Sequence, residues 1–531
     1  MSWVLVALLL AGTPEQGPSD WPDTVVVCPQ AFQEALGPWI DYRQRQGHRI
    51  AIVSNLGTTD QIRRRIREVD RAGQLRFVVL VGEAGGRNVG TRCVPMHYAQ
   101  ARVNVLWGSE PTLSTDNWYA QPEEATDEEP RPELAVGRLA VASPDELRLV
   151  VAKILAYERS TDFGPWRQQL NFVAGMGGFG ALADAALESA AGYFLTQSIP
   201  ADFHVSMTYG SWQSPYCPDP RRFRQTAVER LDEGTLFWVY IGHGYNLGLD
   251  YVYAPRGRHY PILDLPDVDA LHCSHGRPIA LFMSCYAGAI DARQGCLAEA
   301  MLRAPGGPVA VLAGTRVTMP YAMTVMATSL TDDIFVKHCP TLGEAILHAK
   351  QAMLRGPAAG DRRRAMLDMI AAAVSPAPAQ LAAERAEHVL MFNLIGDPLL
   401  RLRHPLPIAL AGPEKVAAGE SIRLSGRCPV DGHGTLELVV RRNRLLVERP
   451  DRAEYPTSDA GFAAIQETYG RANQRRLSTV DVEVRDGLFT ARLDVPRQAI
   501  GACHACMFVE GVDDFASGAI DIHVLAADKV R

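Results

Sequence analysis

The sequence predicts an α/β fold followed by a smaller all-β unit. From about residue 22 to residue 160, short apolar runs typical of buried strands alternate with amphipathic helical patterns, which indicates a mostly parallel sheet covered by helices. A second α/β segment continues to about residue 404. After Pro405 the chain alternates apolar and polar residues between turn signals, which indicates an antiparallel β-sandwich of about 120 residues.

The first α/β segment has four predicted strands and three predicted helices. The strands are expected at 24–27, 48–54, 76–82 and 133–139. Helices are expected over 31–47 and 60–72, and a third begins at Ser143, where Glu146 completes a capping-box pattern. This last helix carries Leu147, Val150 and Val151 on one face, with the spacing of a core-facing helix.

The second α/β segment contains five apolar runs and a larger number of helical patterns. The predicted strands are at 170–175, 202–207, 236–241, 278–283 and 308–314. The predicted helices are at about 179–196, 220–232, 296–303, 321–337, 342–355, 361–373 and 381–389. Continuous apolar strands of this kind are typical of a sheet that is buried on both faces.

Composition excludes some classes of protein. The 531 residues are 47% hydrophobic and 21% charged, with a formal net charge of −7, so no broad basic surface indicates nucleic-acid binding. No apolar run reaches the ~18 residues that a membrane span requires. Residues 1–21 begin with an apolar stretch and then turn polar, which favours a leader segment and a secreted or cell-envelope protein, or else a disordered or misassigned start.

A histidine and a cysteine follow two of the predicted strands. His243 lies in YIGHG (240–244), and Cys285 lies in FMSCYAG (282–288). Ligands of open α/β sheets bind beyond the carboxyl ends of the strands, so we expect both side chains to face one cleft. A thiol beside an imidazole is the arrangement of a cysteine nucleophile with its acid or base.

Several ordered motifs resemble gingipain-type cysteine peptidases of the caspase-like clan. STDNWYA (114–120), ELAVGRLAV (133–141) and KILAYE (153–158) are similar to the N-terminal subdomain of that family. YIGHG resembles its histidine motif, and residues 284–318 resemble its cysteine motif with the helix and strand that follow. FNLIGDPLLRL (392–402) resembles the end of its catalytic domain. The resemblance covers about residues 22–404.

This resemblance implies a caspase-like three-layer α/β sandwich in two subdomains, followed by an immunoglobulin-like domain. The expected boundaries are 1–21 for the leader, 22–162 and 163–404 for the two subdomains, and 405–531 for the β-sandwich. Position by position, Cys285 matches the nucleophile and His243 the catalytic histidine. The backbone N–H groups of Gly244 and Cys285 match the oxyanion hole. No cofactor is required, and the family implies structural calcium without assigning its ligands here.

The segment 109–132 is acidic and is predicted to be a long surface loop. In the Arg-cleaving relatives an acidic residue of this region lies in the specificity pocket, so the resemblance implies a preference for a basic P1 residue. The alignment does not choose one residue. The candidates are Asp116, Glu123, Glu124, Asp127, Glu128 and Glu129.

Other motifs have structural interpretations. Residues 271–275 and 503–506 contain metal-ligand types without a second cluster at a zinc-like spacing, and a disulfide among Cys428, Cys503 and Cys506 stays open. Residues 175–180 fit GxGxxG, but no acid follows at the expected distance. His243 and Cys285 are 42 positions apart, and the insertion-like segment between them, 253–278, is expected to line one wall of the cleft.

The predicted function is hydrolysis of peptide bonds in protein or peptide substrates, through a thioester on Cys285 with His243 as general acid and base. Two alternatives belong to other classes. The first is a catalytically weak adhesion or sorting protein that keeps the peptidase fold. The second is a nucleotide-binding enzyme that uses the glycine-rich turn at 175–180. The sequence does not determine the oligomeric state.

Overall fold

A ten-stranded mixed sheet lies at the centre of the protein. The computed structural model describes residues 21–70, 73–85, 91–177, 198–357, 360–448 and 452–527. The strands of this sheet are β1 (Thr24–Val27), β2 (Ile50–Val53), β3 (Phe77–Val81), β4 (Ala135–Leu139), β5 (Gln169–Ala174), β6 (His204–Tyr209), β7 (Phe237–Ile241), β8 (Ile279–Met283), β9 (Ala310–Gly314) and β10 (Phe392–Ile395). All nine strands predicted before residue 320 are present, and β10 is an additional strand.

The strand order is β2-β1-β3-β4-β10-β9-β8-β7-β5-β6. The sheet consists of two parallel blocks that run in opposite directions, because β10 is parallel to β4 and antiparallel to β9. In consequence, the carboxyl ends of β7, β8 and β9 lie at the same edge of the sheet as the amino end of β4. The chain that precedes β4 is therefore brought to the edge where His243 and Cys285 follow their strands.

Of the described helices, the first nine agree with the predicted periodicity to within a few residues at each end, and the tenth was not predicted. They are α1 (Gln33–Arg45), α2 (Thr59–Val69), α3 (Pro144–Arg159), α4 (Phe223–Asp232), α5 (Leu297–Arg303), α6 (Pro320–Phe335), α7 (Leu342–Leu354), α8 (Arg362–Val374), α9 (Leu381–Met391) and α10 (Asp459–Asn473). Ser143 Oγ caps α3 by accepting from the Glu146 N–H, while the Glu146 carboxylate accepts from the Ala142 N–H. The predicted helix at 179–196 lies outside the described residues.

Both faces of the central sheet are buried. Alternate residues of β1 and β3 belong to two different apolar clusters: Val26 and Val79 pack in one, and Val25 and Val78 in the other. All five residues of β3 are buried. This double burial explains why the strands are uninterrupted apolar runs in the sequence.

Residues after Pro405 form two sheets around a common core. A six-stranded sheet contains Leu406–Pro407, Lys415–Ala417, Gly432–Val440, Arg476–Val484, Gly501–Glu510 and Phe515–Leu525, and a three-stranded sheet contains Ala409–Ala411, Ser421–Arg427 and Leu488–Asp494. Leu424 of the smaller sheet and Leu438 of the larger one share a single buried cluster. The expectation of strands alone was wrong, because α10 is inserted between two strands of the larger sheet.

Helix α10 covers the edge strand β6 of the central sheet. The side chain of Asn473 pairs with the backbone of Met207 as a neighbouring strand would: Oδ1 accepts from the Met207 N–H at 2.8 Å, and Nδ2 donates to the Met207 carbonyl at 3.0 Å. Tyr469 Oη lies 2.8 Å from Thr208 Oγ1. Unpaired edge strands promote association with other chains, so this contact protects an exposed edge.

The segment 109–132 is not entirely a surface loop. It contains a strand, Thr112–Thr115, that pairs with His97–Gln100, and a short 3₁₀ helix, Asn117–Ala120, whose four residues are all buried. The start of the segment, at Glu110 and Pro111, and the part after Pro122 are mainly exposed. Within the described part of the chain, no helix is both long and apolar enough to cross a membrane.

Candidate active site

His243 and Cys285 follow neighbouring parallel strands at the same level. Strands β7 and β8 pair in register, with Ile241 opposite Met283, and each site residue lies two positions further along its own strand. Gly244 is packed against the backbone of the cysteine motif, since a Cβ at Gly244 would lie 2.7 Å from the Cys285 carbonyl oxygen. Register and close packing thus bring the two motifs together.

The Cys285 sulfur is held by the loop that follows β9. The Thr318 N–H donates to Cys285 Sγ at 3.3 Å, and Thr318 Oγ1 lies 3.6 Å from the same sulfur. Cys285 is partly exposed, whereas the other nine cysteines are buried and all ten are unpaired thiols. The alternative of a disulfide among Cys428, Cys503 and Cys506 is therefore wrong for this structure.

The residue after Cys285 has an unusual backbone conformation. Tyr286 has φ = 58°, in the left-handed region that costs a non-glycine residue about 1 kcal/mol or more. Its N–H donates to the Arg316 carbonyl at 3.2 Å, and the Ala287 N–H donates to the Cys285 carbonyl at 2.7 Å. The cysteine therefore lies on a tight turn immediately after its strand.

His243 is held by contacts to both its backbone and its ring. Tyr240 Oη donates to the His243 carbonyl at 2.7 Å, and His243 Nε2 lies 3.2 Å from the Gly177 carbonyl. Gly242, between them, has φ = 153°, and a Cβ there would lie 2.8 Å from Tyr240 Oη. Glycine at 242 therefore permits the close approach of β7 to the glycine-rich turn after β5.

The described part of that glycine-rich turn packs against the histidine motif. The predicted GxGxxG segment extends over 175–180, of which 178–180 lie outside the described residues. Gly175 and Gly177 contact the strand and ring of the histidine motif.

The loop after β9 is anchored by a buried histidine that the sequence analysis missed. His388 in α9 accepts from the Met319 N–H through Nε2 at 2.7 Å, and its Nδ1 lies 2.7 Å from the Glu384 carbonyl. This pair of contacts requires a neutral ring with the proton on Nδ1. Met319 directly follows Thr318, so His388 helps to position the residue that contacts the Cys285 sulfur.

This arrangement predicts that acid destabilises the protein through His388. Burial lowers the pKa of His388 from 6.5 to about 4, so the unfolded chain binds a proton that the folded protein excludes. Stability is therefore full above about pH 6.5 and is lost as the pH falls toward 4, by ~3 kcal/mol in total. Urea unfolding at a series of pH values measures this loss.

The matched comparison uses His388→Gln and His433→Gln, because the His433 side chain is 88% exposed. We expect His388→Gln to be less stable than the unaltered protein at pH 7 and to lose less further stability between pH 6.5 and 4. His433→Gln should follow the unaltered protein. An unchanged pH slope in His388→Gln would contradict this role.

Four side chains form a charged cluster beside the cysteine. Tyr286 Oη donates to Glu110 Oε2 at 2.9 Å, and Arg316 forms an ion pair with Asp291 at 2.7 Å while its Nε lies 3.6 Å from Glu110. The Glu110 side chain is 52% exposed, and that of Arg316 is 7% exposed. Two carboxylates facing one guanidinium leave a net negative charge next to Cys285.

The six predicted acidic residues differ in their burial and in their partners. Asp116 is buried and forms a two-point ion pair with the fully buried Arg138, at 2.6 and 2.7 Å. Asp127 lies 2.8 Å from His97 Nε2, and Glu128 forms an ion pair with Arg102. Both oxygens of the Asp116 carboxylate thus accept hydrogen bonds from Arg138 in the interior of the protein.

The other three acidic candidates are exposed. Glu124 has its side chain 77% exposed and only a 4.0 Å contact to Arg131, and Glu123 and Glu129 are also exposed. None of these three has a contact to the cysteine motif among the described hydrogen bonds and ion pairs. Glu110, at the start of the same segment, is the acid that contacts it. Sequence reasoning missed Glu110 because it started from the density of acids after residue 122.

The segment between His243 and Cys285 forms hairpins beside the histidine. Gly244–Tyr245 pairs with Gly248–Leu249, and Tyr251–Ala254 pairs with Arg258–Pro261. No group of three or more His, Cys, Asp or Glu side chains that could hold a metal ion occurs in the described ranges. The residues at 271–275 and 503–506 therefore do not take part in such a group.

Comparisons with known proteins identify the family. The profile of peptidase family C25 matches residues 18–403, and this chain belongs to that family, the gingipain family of cysteine peptidases. A comparison with curated protein sequences found no match.

Two similar solved structures show the fold. The crystal structure of the Arg-specific cysteine proteinase gingipain R is 16% identical, with a TM-score of 0.53, and the match covers 95% of this chain and 98% of that one. The complex of the pro- and mature domains of RgpB from Porphyromonas gingivalis is 17% identical, with a TM-score of 0.53, and the match covers 94% of this chain and 99% of that one. The chain therefore has a gingipain-like α/β fold with a large mixed sheet.

Proposed function

We propose that this protein is a cysteine endopeptidase in which Cys285 is the nucleophile and His243 the general acid and base. One observation carries the proposal: the two residues follow adjacent parallel strands at the same register position, and the cysteine is the partly exposed one of ten. Membership of a peptidase family supports the same reaction. The substrates are proteins or peptides.

The proposed reaction uses groups of this chain alone. Cys285 passes its proton to His243, the thiolate attacks the peptide carbonyl, and His243 returns the proton to the leaving amine. Water, deprotonated by the same imidazole, then hydrolyses the thioester. The N–H groups of Gly244 and Cys285 are proposed to hold the oxyanion, and losing one such donor costs about 10²–10³-fold in rate. The Gly244 backbone packs closely enough on Cys285 to act with it.

The experiment that tests this proposal is hydrolysis of a mixed fluorogenic peptide library by the reduced protein, with Cys285→Ala measured beside it. Hydrolysis that depends on Cys285 supports the peptidase. Absence of hydrolysis in both proteins, after trial proteolytic activation and with calcium added, would favour the adhesion or sorting function instead.

We further propose a preference for Arg or Lys at P1, with Glu110 as the carboxylate that attracts the positive side chain. Glu110 contacts the residue next to the nucleophile, is half-exposed, and belongs to a cluster of net negative charge. The six acids predicted from the sequence lack this combination. A positive substrate side chain would complete the charge balance of the cluster.

Replacing Glu110 with Gln is expected to lower the ratio of kcat/KM for Arg over norleucine at P1 by about fivefold, because a half-exposed ion pair contributes ~1 kcal/mol. Peptide pairs that differ only at P1 measure this ratio. Glu124→Gln is the matched control, because it removes a carboxylate of the same charge that lies on the protein surface. A library without Arg or Lys preference, or an unchanged ratio in Glu110→Gln, would refute the assignment.

We also propose that the units with boundaries 22–162, 163–404 and 405–531 are the two catalytic subdomains and an immunoglobulin-like domain. The two sheets with one core after Pro405, and the extent of the structural match, support the last of these. The apolar start of residues 1–21, which lie almost wholly outside the described ranges, supports a leader and a secreted or cell-envelope location.

A further inference from the structure

A buried carboxylate lies beside the strand that carries His243. Asp250 is only 7% exposed and follows the hairpin of residues 244–249, so the chain returns to β7 directly after leaving it. The Asp250 N–H donates to Tyr240 Oη at 3.4 Å, and the same hydroxyl donates to the His243 carbonyl at 2.7 Å. One tyrosine hydroxyl therefore joins the backbones of Asp250 and His243.

The two oxygens of the Asp250 carboxylate have different surroundings. Oδ1 accepts from Tyr253 Oη at 3.2 Å, whereas Oδ2 is buried without a hydrogen-bond partner among the residues that the structure describes. A buried acceptor without a partner destabilises the folded protein, and it does so more strongly if it is charged. This oxygen is therefore placed to interact with a nearby positive charge.

The imidazole of His243 is the group that can supply that charge. A Cβ at Gly175 would lie 3.4 Å from Asp250 Oδ2, and His243 Nε2 lies 3.2 Å from the Gly177 carbonyl. Both side chains thus face a three-residue segment whose two ends are at most about 7 Å apart. The aspartate and the histidine thus lie beside the same turn, and the two side chains interact electrostatically.

The other titratable groups around Asp250 are tyrosines. Burial raises the pKa of both Tyr240 and Tyr253, which keeps the two hydroxyls neutral at physiological pH. The nearby Cys285 and Tyr245 side chains raise the pKa of Tyr240 further. Burial raises the pKa of Asp250 itself, and the neighbouring His243 opposes that rise.

We propose that Asp250 is a positioning residue for His243: its carboxylate stabilises the imidazolium that forms when Cys285 gives up its proton. The inference rests on the proposed function of Cys285 and His243. The proton moves from Sγ to the imidazole and later to the leaving amine, while Asp250 stays ionised. Asp250 therefore increases the fraction of Cys285 that is thiolate at neutral pH.

The test is the rate of Cys285 alkylation by iodoacetamide from pH 5 to pH 8, followed by mass spectrometry of the peptide that carries Cys285. The burial of the other nine thiols makes this reaction selective. We expect Asp250→Asn to be alkylated about tenfold more slowly at pH 6, which corresponds to a change of one pKa unit in the coupled pair. Asp250→Glu, which keeps the charge, should recover most of the rate.

The controls separate this role from a structural one. Asp332→Asn removes a different carboxylate, which is 40% exposed. Asp332 lies several helical turns from the start of α6, and its replacement should leave the alkylation profile unchanged. In a His243→Gln background, Asp250→Asn should have no further effect. If Asp250→Asn does not fold, as judged by its thermal midpoint, Asp250→Glu and Asp250→Gln provide the same charge comparison.

Equal alkylation of the charged and neutral variants at every pH would overturn the inference, as would an effect that persists without His243. Alkylation does not require peptide hydrolysis, so each of the two proposals can be refuted without refuting the other. An Asp250 effect in a protein that hydrolyses no peptide would refute the peptidase alone. Cys285-dependent hydrolysis without an Asp250 effect would refute this inference alone.

Discussion

Replacing Cys285 with Ala is expected to lower kcat/KM for peptide hydrolysis by roughly 10⁴-fold or more, since removing a nucleophile abolishes the covalent route. The rate that remains reflects substrate binding and oxyanion stabilisation alone. Hydrolysis of the best library peptide under reducing conditions, with active-site titration by a thiol-directed peptide warhead, measures this loss. The warhead should label the unaltered protein at Cys285 and leave Cys285→Ala unlabelled.

Cys296→Ala is the matched control. Cys296 lies 11 residues away at the start of α5, is 3% exposed, and burial raises its pKa well above the usual range of a thiol. Its replacement should leave kcat/KM within a few-fold of the unaltered protein. Equal activity of Cys285→Ala and Cys296→Ala would remove Cys285 from the reaction, and the adhesion or sorting function would then fit better.

Replacing Asp116 with Ala is expected to lower the free energy of unfolding by about 3–5 kcal/mol, because it leaves the Arg138 guanidinium buried without its counter-charge. Arg138 also donates to the carbonyls of Gly82, Glu83 and Val94. The ion pair therefore fixes β4 to the segment that precedes it and to the chain after β3. Chemical denaturation monitored by tryptophan fluorescence measures the change.

Glu124→Ala serves as the control for Asp116→Ala, because Glu124 belongs to the same acidic segment and is exposed. It should change the free energy of unfolding by less than about 0.5 kcal/mol. If Asp116→Ala were as stable as the unaltered protein and instead lost its preference for a basic P1 residue, then Asp116 would be a specificity residue, as the resemblance implied.

The strands and helices of the α/β part follow closely from the sequence pattern. Strand β3 is buried at every position, and that double burial selects an unbroken run of large apolar residues. Helix α10 had a comparable signal, since Phe462, Ile465, Tyr469 and Ala472 are its buried residues and recur at helical spacing. We missed it because the surrounding segments alternate like strands, and the pattern was extended across it.

The residues of the candidate site also differ in whether the sequence could predict them. His243 and Cys285 could be found because each follows an apolar strand, within a motif of local residues. Glu110 and His388 could not, because each acquires its role from a partner far away in the chain, Tyr286 and Met319 respectively. Asp250 is only seven residues from His243, but its place beside the histidine strand depends on how the intervening hairpin folds back. In the sequence, each resembles many other polar residues on loops and helices.

By itself, the sequence determined the α/β class, most element positions, the family and the two residues that we propose for the chemistry. These features depend on local periodicity and short motifs, which are encoded by neighbouring residues. Only the tertiary structure decided that Asp116 pairs with Arg138 and that Glu110 lies beside the cysteine motif. The physical reason is that a carboxylate's role depends on its burial and its partner, and both are set by segments far apart in the chain.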